Sequence, residues 1–173
     1  GTGPVDVTLI SKLPDDITIV RTPSYEPLRF IRFMTKIRLY RLAWFFFYPF
    51  FWETSARWPR KVYPVAAELV REHGIHLVYT SSGPYSSVFL GRKLQRDLGV
   101  KWVADLRDPF TDAYAWNFPG KLQWLFARRM EKKLFTQADR LIVNTNAVKD
   151  VYCNRGISTP EKITVITNGY WKK

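Results

Sequence analysis

The sequence predicts a parallel α/β domain in which one Rossmann-like sheet carries helices on both faces. Short apolar runs rich in β-branched residues alternate with segments of helical periodicity through the second half of the chain. Such near-continuous apolar strands are typical of parallel sheets buried on both sides. The chain has 173 residues, of which 46% are hydrophobic, which suffices for one domain with a real core.

Three elements are predicted in the first half of the chain. A β-branched run at 5–10 predicts a strand, and a turn at Pro14 leads to a second predicted strand at 17–20. A helix is predicted over 62–72, where apolar residues recur on one side, and Gly74 is expected to end it.

The rest of the chain repeats one rhythm of strand and helix. Strands are predicted at 76–80, 100–106, 140–144 and 163–166. Helices are predicted between them at 85–98, 122–137 and 147–154. Right-handed crossovers place the carboxyl ends of all these strands along one edge of the sheet, which is where open α/β sheets bind ligands.

Charge and cysteine content restrict the partners and the compartment. The net charge of +12 points to an anionic partner, and nucleic acid, an acidic membrane surface and phosphorylated small molecules all qualify. Cys153 is the only cysteine, which favours a reducing compartment and, beside two histidines, argues against a structural zinc site. No signal peptide is expected, and the longest apolar block, 42–52, is too short for a bilayer span, which needs ~20 residues.

The loop after the predicted strand at 76–80 is rich in small hydroxyl residues. It reads Ser81-Ser82-Gly83-Pro84-Tyr85-Ser86-Ser87 and leads into a predicted helix. Backbone N–H groups exposed in such a loop can hold an anion or a sugar hydroxyl. Simple side-chain capping of the helix explains the same residues, and both interpretations stay open.

A second loop places two carboxylates around an arginine. Asp105 lies at the end of the predicted strand at 100–106, Arg107 and Asp108 follow it, and Pro109 fixes the exit of the chain. Arginine binds phosphate bidentately, while a carboxylate binds sugar hydroxyls. The alternative is a structural ion pair that orders the loop. Weaker signals are Asn144, after the next strand, and Asn168-Gly169, after the last one.

Four stretches of the chain together carry a family resemblance. They are VYTSSGPYSS (78–87), WVADLRDPF (102–110), ADRLIVNT (138–145) and PEKITVITNG (160–169). In their order and spacing, over about 62–170, they resemble the N-terminal, acceptor-binding domain of retaining glycosyltransferases of the GT-B fold, similar to glycosyltransferase family 4.

This resemblance implies sugar transfer from a nucleotide-sugar donor to a glycan or lipid-linked acceptor, with neither metal nor cofactor. It implies catalytic positions at Asp105, Arg107 and Asp108. It also implies a set of substrate-binding residues along the strand ends. These are Ser81, Ser82, Gly83, Tyr85, Ser86, Asn144, Asn168 and Gly169.

Two departures from the family pattern accompany the resemblance. The strand at 5–10 matches the family's second strand better than its first, so the first strand and its glycine-rich loop are expected to be missing. The C-terminal nucleotide-sugar domain is also expected to be absent. The chain is therefore expected to be one domain over 1–173, incomplete as an enzyme without a donor domain or partner chain.

An aromatic and basic segment at about 28–58 is expected to be an insertion in this domain. Its composition suits a membrane interface, since Trp and Tyr favour the headgroup level and cations meet anionic lipids. Its cations fall on two sides of a helix, so one continuous amphipathic helix is not expected. The predicted membrane contacts are Arg32, Lys36, Arg41, Trp44, Phe45, Phe46 and Trp52.

Alternatives remain for this segment and for the whole chain. The aromatics would also suit packing on the sheet or on a partner, and stacking on nucleic acid is the weakest interpretation. The preferred location is the cytoplasmic side, peripheral at the inner face of the membrane. The alternative function is a non-catalytic module that keeps the fold and docks on a membrane or partner.

Overall fold

The computed structural model describes residues 14, 16–22, 58–83, 85–112 and 120–169. They form a four-stranded parallel sheet with four helices, so the predicted parallel α/β class is confirmed. The strands are β1 (Leu77–Ser81), β2 (Lys101–Leu106), β3 (Arg140–Val143) and β4 (Ile163–Val165). The helices are α1 (Trp58–Glu72), α2 (Ser86–Leu98), α3 (Lys121–Phe135) and α4 (Asn146–Asn154), and a short 3-10 helix (Pro160–Lys162) precedes β4.

The strands lie in the sheet in their order along the chain. One row of side chains, Thr80, Ala104, Leu141 and Ile163, runs across all four strands in register. Each crossover moves one strand further in the same direction, and right-handed connections then put α2, α3 and α4 on the same face. The carboxyl ends of the four strands consequently share one edge.

The core lies between that face and the helices. Trp102, Leu106 and Leu141 of the sheet are fully buried against Phe135 of α3 and Tyr152 of α4. Burial of this apolar surface is the main favourable contribution to folding. It also fixes how α3 and α4 sit on the sheet.

A glycine lets α2 approach β2 closely. A Cβ atom at Gly91 would lie 2.4 Å from Nε1 of Trp102 and 2.7 Å from Cγ2 of Thr80. The same indole Nε1 donates a buried 2.9 Å hydrogen bond to Oγ1 of Thr80. Gly91 therefore makes room for a tryptophan whose polar atom is satisfied inside the core.

The opposite face of the sheet carries Tyr79, Val103, Asp105 and Ile142, all partly or largely exposed. Within 58–83, 85–112 and 120–169, no helix packs on these residues. The prediction of helices on both faces is thus confirmed for one face, and coverage of the second face stays a prediction. This open face contributes Tyr79, Ser81 and Asp105 to the site described below.

Two predicted elements differ from the structure. The predicted strand at 17–20 is wrong: these residues are described but do not join the sheet, and Ile17 is 49% exposed. Its β-branched composition predicted a strand, but no described strand lies beside it to bury those side chains. The predicted helix at 62–72 begins earlier, at Trp58, and continues through Pro64. The predicted strand at 5–10 lies outside the described residues.

Candidate functional site

The loops after β1, β2 and β3 meet at the carboxyl edge of the sheet. Ser81 at the end of β1 lies in register with Asp105 of β2, which is in register with Ile142 of β3. The pairing continues one residue past β1, where the N–H of Ser82 donates to the carbonyl of Asp105 at 2.8 Å. The hydroxyl-rich loop and the carboxylate loop predicted from the sequence are therefore direct neighbours.

Asp105 is the centre of a small hydrogen-bonded cluster on the open face. Tyr79 donates its phenolic O–H to Oδ2 of Asp105 at 2.7 Å, and Ser81 donates its hydroxyl to the same oxygen at 2.8 Å. Oδ1 of Asp105 receives no hydrogen bond from the described part of the chain. A carboxylate oxygen has lone pairs for further donors, so Oδ1 is available to a ligand hydroxyl.

The titration of Tyr79 reflects this cluster. Burial, followed by the hydrogen bond to Asp105 and the charge of Asp105, raises the pKa of Tyr79 to about 12. The positive charge of Arg107 acts in the opposite direction, which places Arg107 within electrostatic reach of the phenol. Tyr79 thus stays protonated at physiological pH and remains a donor to the carboxylate.

The main chain of the loop after β2 is held by three polar side chains. The N–H of Arg107 donates to Oγ of Ser82 at 3.2 Å, and Nδ2 of Asn144 donates to the carbonyl of Arg107 at 2.5 Å. Tyr85 donates its O–H to the carbonyl of Asp108 at 2.8 Å. We call these three side chains, Ser82, Tyr85 and Asn144, the backbone clamp.

The hydrogen bonds of the backbone clamp go to main-chain atoms of the loop, so the charged side chains of Arg107 and Asp108 take no part in it. Arg107 and Asp108 are both exposed, and neither forms an ion pair with any residue of the described ranges. The structural ion pair that offered the alternative explanation of this motif is therefore absent between Arg107 and its two flanking carboxylates. Order in the loop comes instead from contacts to its main chain.

A buried network anchors Phe110 and Thr111 of the same loop. The N–H of Phe110 donates to the phenolic oxygen of Tyr152 at 3.1 Å, and that phenol donates to Oε1 of Glu131 at 3.0 Å. Thr111 donates to both oxygens of Glu131, with its N–H at 3.1 Å and its hydroxyl at 2.7 Å. The carboxylate of Glu131 therefore accepts three hydrogen bonds inside the core.

Charge around Glu131 is only partly compensated. Burial raises the pKa of Glu131, while the hydrogen bonds from Thr111 and Tyr152 and the charge of Arg155 oppose that rise. Nη1 of Arg155 lies 3.6 Å from Oε2 of Glu131 and 2.5 Å from Oδ2 of Asp112. Burial, followed by the charge of Glu131, also raises the pKa of Tyr152 well above its ordinary value.

The loop after β1 does not cap α2 with a side chain. Tyr85 occupies the N-cap position with helical dihedral angles, and no side-chain hydrogen bond caps the helix there. The hydroxyl of Ser87 donates instead to the carbonyl of Ser81 at 2.8 Å. Simple capping, one of the two interpretations of this loop, is therefore wrong for α2, because no side-chain hydrogen bond caps this helix.

The predicted substrate-binding residues fall into two groups. Ser81 and Gly83 are exposed at the edge, whereas Ser82 and Tyr85 are buried in the backbone clamp and Ser86 is only 1% exposed. These buried side chains shape the loop and do not form its outer surface.

Asn144 and the turn after β4 complete the predicted set. Oδ1 of Asn144 is buried and has no hydrogen-bond partner within the described ranges, while its Nδ2 belongs to the clamp. Asn168 and Gly169 are exposed after β4, two strands from β2, which corresponds to about 10 Å at the usual strand spacing.

Three residues of the site were missed by the sequence analysis. Tyr79 is two positions before Ser81 in an apolar strand, and its role depends on strand register. Glu131 sits in a basic helix and resembles a surface charge, although its spacing from Ala127 and Leu134 puts it on the buried side of the helix. Tyr152 had no sequence signal, because its partner lies on a different helix.

Neither a metal site nor a membrane-spanning helix is found among the described residues. No group of three or more His, Cys, Asp or Glu side chains there could hold a metal ion. None of the described helices is long and apolar enough to cross a bilayer. The seven predicted membrane contacts, Arg32, Lys36, Arg41, Trp44, Phe45, Phe46 and Trp52, lie outside the described residues.

Comparison with known protein families gives a match over nearly the whole chain. The model of the family described as Glycosyltransferase Family 4 matches residues 8–170, which cover nearly all of the sequence. No curated protein matches the chain. The predicted resemblance is thus confirmed, and the role supported by the family is glycosyltransferase-like. With its parallel sheet and its polar carboxyl edge, the chain belongs to glycosyltransferase family 4.

Proposed function

We propose that this chain is the acceptor-binding domain of a membrane-associated glycosyltransferase. The reaction transfers a sugar from a nucleotide-sugar donor to a glycan or lipid-linked acceptor. The observation that carries the proposal is the Asp105 cluster, where Tyr79 and Ser81 hold one carboxylate oxygen and no described residue bonds to the other. Family membership over 8–170 supports the reaction class.

Asp105 would bind an acceptor hydroxyl. A sugar hydroxyl donating to Oδ1 of Asp105 would be oriented by a carboxylate that is itself fixed through Oδ2. Orientation of a nucleophile in this way lowers the entropic part of the barrier. Tyr79 and Ser81 would contribute by holding the carboxylate in one position.

Arg107 would bind phosphate. Its guanidinium is exposed at the same edge and is always charged, and its planar geometry matches phosphate oxygens. The phosphate would be that of the nucleotide-sugar or that of a lipid-linked acceptor. Because Ser82 and Asn144 hold the main chain of Arg107 from both sides, little ordering of the backbone is needed on binding.

The nucleotide-sugar would be held mainly by a second domain, in the same polypeptide or in a partner chain. Under this proposal the reaction takes place in the cleft between the two domains, at the carboxyl edge of the sheet. No cofactor or metal is required by the proposal, because donor and acceptor bind through protein side chains alone.

A turnover assay tests the proposal. UDP- and GDP-sugars are titrated into the chain with and without a candidate nucleotide-binding domain, in the presence of acceptor lipid extract. We expect turnover only for the pair. Asp105→Asn should reduce turnover at least tenfold, whereas Asp150→Asn, an exposed change on α4 with the same loss of charge, should not. A chain that neither turns over nor binds donor or acceptor in any combination is a docking module and not a transferase.

Peripheral binding at the inner membrane face is the second part of the proposal. The basic aromatic segment at about 28–58 would bind anionic lipid. In a flotation assay at low salt, we expect recovery with anionic vesicles to exceed recovery with neutral ones. Equal recovery with both would contradict electrostatic attachment, since charges on the chain and the bilayer are least screened at low salt.

A further inference from the structure

Helix α3 exposes apolar side chains beside cations. Leu122 is 77% exposed and Phe126 is 42% exposed, and Leu125 is exposed between them. Arg129, Lys132 and Lys133 follow on the next two turns. We call these six residues, Leu122, Leu125, Phe126, Arg129, Lys132 and Lys133, the α3 face.

The α3 face is one continuous strip of the helix surface. At roughly 100° per residue, its six residues fall within an arc of about 120°. The opposite side of the helix holds Gln123, Ala127, Glu131 and Leu134, which are buried. A helix that covers a core normally turns polar residues outward, so exposed leucine and phenylalanine on the outer side call for a partner.

Charge on α3 is almost entirely of one sign. The helix contains five cationic residues and one acidic residue, Glu131, which is 0% exposed. Among the residues that the structure describes, no carboxylate forms an ion pair with Arg129, Lys132 or Lys133. Cations in the last turn also interact favourably with the helix dipole, but this does not account for the exposed apolar residues of the first two turns.

An aromatic side chain borders this strip. The guanidinium of Arg128 lies 4.8 Å from the ring centroid of Trp124, whose side chain is itself partly exposed. A shallow depression beside them is lined by Trp124, Leu125 and the four cations of residues 128–133. Stacked aromatic and cationic groups of this kind suit the level of lipid headgroups.

The apolar end of the helix points to the functional edge. Since α3 connects the carboxyl end of β2 to the amino end of β3, its first residues lie toward the carboxyl edge and its last residues toward the opposite edge. Leu122 and Phe126 are therefore toward the same edge of the sheet as Asp105, although α3 covers the opposite face.

We propose that the α3 face docks on an anionic lipid bilayer. Leu122, Leu125 and Phe126 enter the boundary between headgroups and acyl chains, and Arg129, Lys132 and Lys133 contact lipid phosphates. A bilayer offers acyl chains to the exposed apolar side chains and anionic headgroups to the cations, so one partner accounts for both parts of the α3 face. The inference deepens the proposed membrane association, on which it rests, and names a surface separate from the segment at 28–58.

A site-specific label tests this contact. In the full chain carrying Cys153→Ser, Leu122→Cys is labelled with an environment-sensitive fluorophore and mixed with vesicles of phosphatidylcholine with or without phosphatidylglycerol. We expect a blue shift, and quenching by brominated acyl chains, with the anionic vesicles only. The matched control is the same label at Val65→Cys, an exposed apolar position on α1, which should not respond.

Charge variants give an independent measurement. Arg129→Gln, Lys132→Gln and Lys133→Gln together should weaken binding to anionic vesicles by roughly 100-fold, given the usual contribution of each cation near a bilayer. The control combines Arg60→Gln, Arg71→Gln and Lys162→Gln, which are exposed cations elsewhere with the same total charge change. It should retain most of the binding, and thermal unfolding would verify that both variants are folded.

The outcomes separate this inference from the proposed function. Vesicle binding with a silent label at position 122 would overturn the α3 face and leave membrane association through 28–58 intact. A label that responds to poly-glutamate but not to vesicles would refute docking of the α3 face on a bilayer and would indicate an acidic protein as its partner. No vesicle binding by the full chain would refute both membrane proposals, while the turnover assay would still decide the transferase activity.

Discussion

The phenol of Tyr79 donates a 2.7 Å hydrogen bond to Oδ2 of Asp105 along a diagonal between β1 and β2. In register, Tyr79 is opposite Val103, and Asp105 is opposite Ser81. Diagonal neighbours on one face of a sheet are within reach only of long or aromatic side chains. Tyr79 therefore adds a second donor to the oxygen that Ser81 already contacts, and the carboxylate is fixed from two sides.

Replacing Asp105 should change the titration of Tyr79. With Asp105→Asn, the pKa of Tyr79 should fall below about 12 but stay above its ordinary value of 10.0, because burial of the phenol remains. The raised pKa favours the neutral phenol, so its contribution to stability is present below pH 10 and is lost as the pH rises through about 12. Ultraviolet titration, with Tyr79→Phe subtracted, measures this shift.

Ser81→Ala serves as the control for that titration. It removes the other donor to Oδ2 of Asp105 and leaves the charge in place, so the pKa of Tyr79 should stay raised. A pKa unchanged by Asp105→Asn would mean that burial alone sets it.

Asn144 should act on the reaction through the position of Arg107. Asn144→Ala removes the donor to the carbonyl of Arg107 at a cost of about 1 kcal/mol in stability, the usual net value of one hydrogen bond. Turnover by the two-domain pair should fall by about tenfold, because a loosened loop misplaces the guanidinium. Steady-state kinetics and urea unfolding measure the two effects.

The matched control for Asn144 is Asn146→Ala, an exposed change at the start of α4. It should alter neither quantity. Equal loss of turnover in both variants would show that the clamp does not position Arg107.

Glu131 should contribute to stability through its hydrogen bonds. Glu131→Ala leaves the N–H of Thr111 and the O–H of Tyr152 without their acceptor, which should cost about 1–3 kcal/mol for each group that stays unsatisfied. Glu131→Gln should cost less, because its amide oxygen accepts both bonds and its NH2 group donates to the hydroxyl of Thr111. Denaturant unfolding distinguishes the two variants, and equal losses would assign the role to the charge of Glu131.

The same carboxylate should make stability depend on pH. Because burial raises the folded pKa of Glu131 above its ordinary value of 4.5, the neutral form is favoured in the folded state. Its contribution is fully present below pH 4.5 and is lost as the pH rises through the folded pKa. The free energy of unfolding of the parent chain, relative to Glu131→Gln, should therefore decline from pH 4.5 upward. A difference independent of pH would contradict the raised pKa.

Close contact between α2 and β2 should be sensitive to a single methyl group. In Gly91→Ala the new Cβ would lie 2.4 Å from the indole of Trp102, so the helix must move, at a cost of roughly 1–3 kcal/mol. Gly169→Ala, whose Cβ meets nothing within 4 Å, is the control and should be neutral. Thermal unfolding of both variants measures the difference, and a neutral Gly91→Ala would refute the contact.

The parallel sheet and the position of its site could be predicted because both follow from local patterns. The apolar runs of β1, β2 and β3 predicted these strands. Right-handed connections between parallel strands then placed Ser81, Asp105 and Asn144 on one edge of the sheet. The predicted strand at 17–20 was wrong because composition does not show whether a neighbouring strand is present.

The direction of the side chains could not be predicted in the same way. Sequence placed Ser82, Tyr85 and Arg107 at the edge but did not show that the first two turn inward to the main chain. The contact of Tyr79 with Asp105 depends on the register between two strands. The contact of Tyr152 with Glu131 depends on the packing of α4 on α3. Each of these contacts joins residues distant in sequence, which local periodicity does not report.

The backbone clamp has a consequence for how this domain diverges. Ser82, Tyr85 and Asn144 hold the loop through its peptide groups, so its shape does not depend on which side chains stand at positions 107 and 108. Substitutions of the exposed side chains at these two positions should therefore carry little penalty to folding. The domain thus carries two replaceable charged residues on a frame of main-chain contacts.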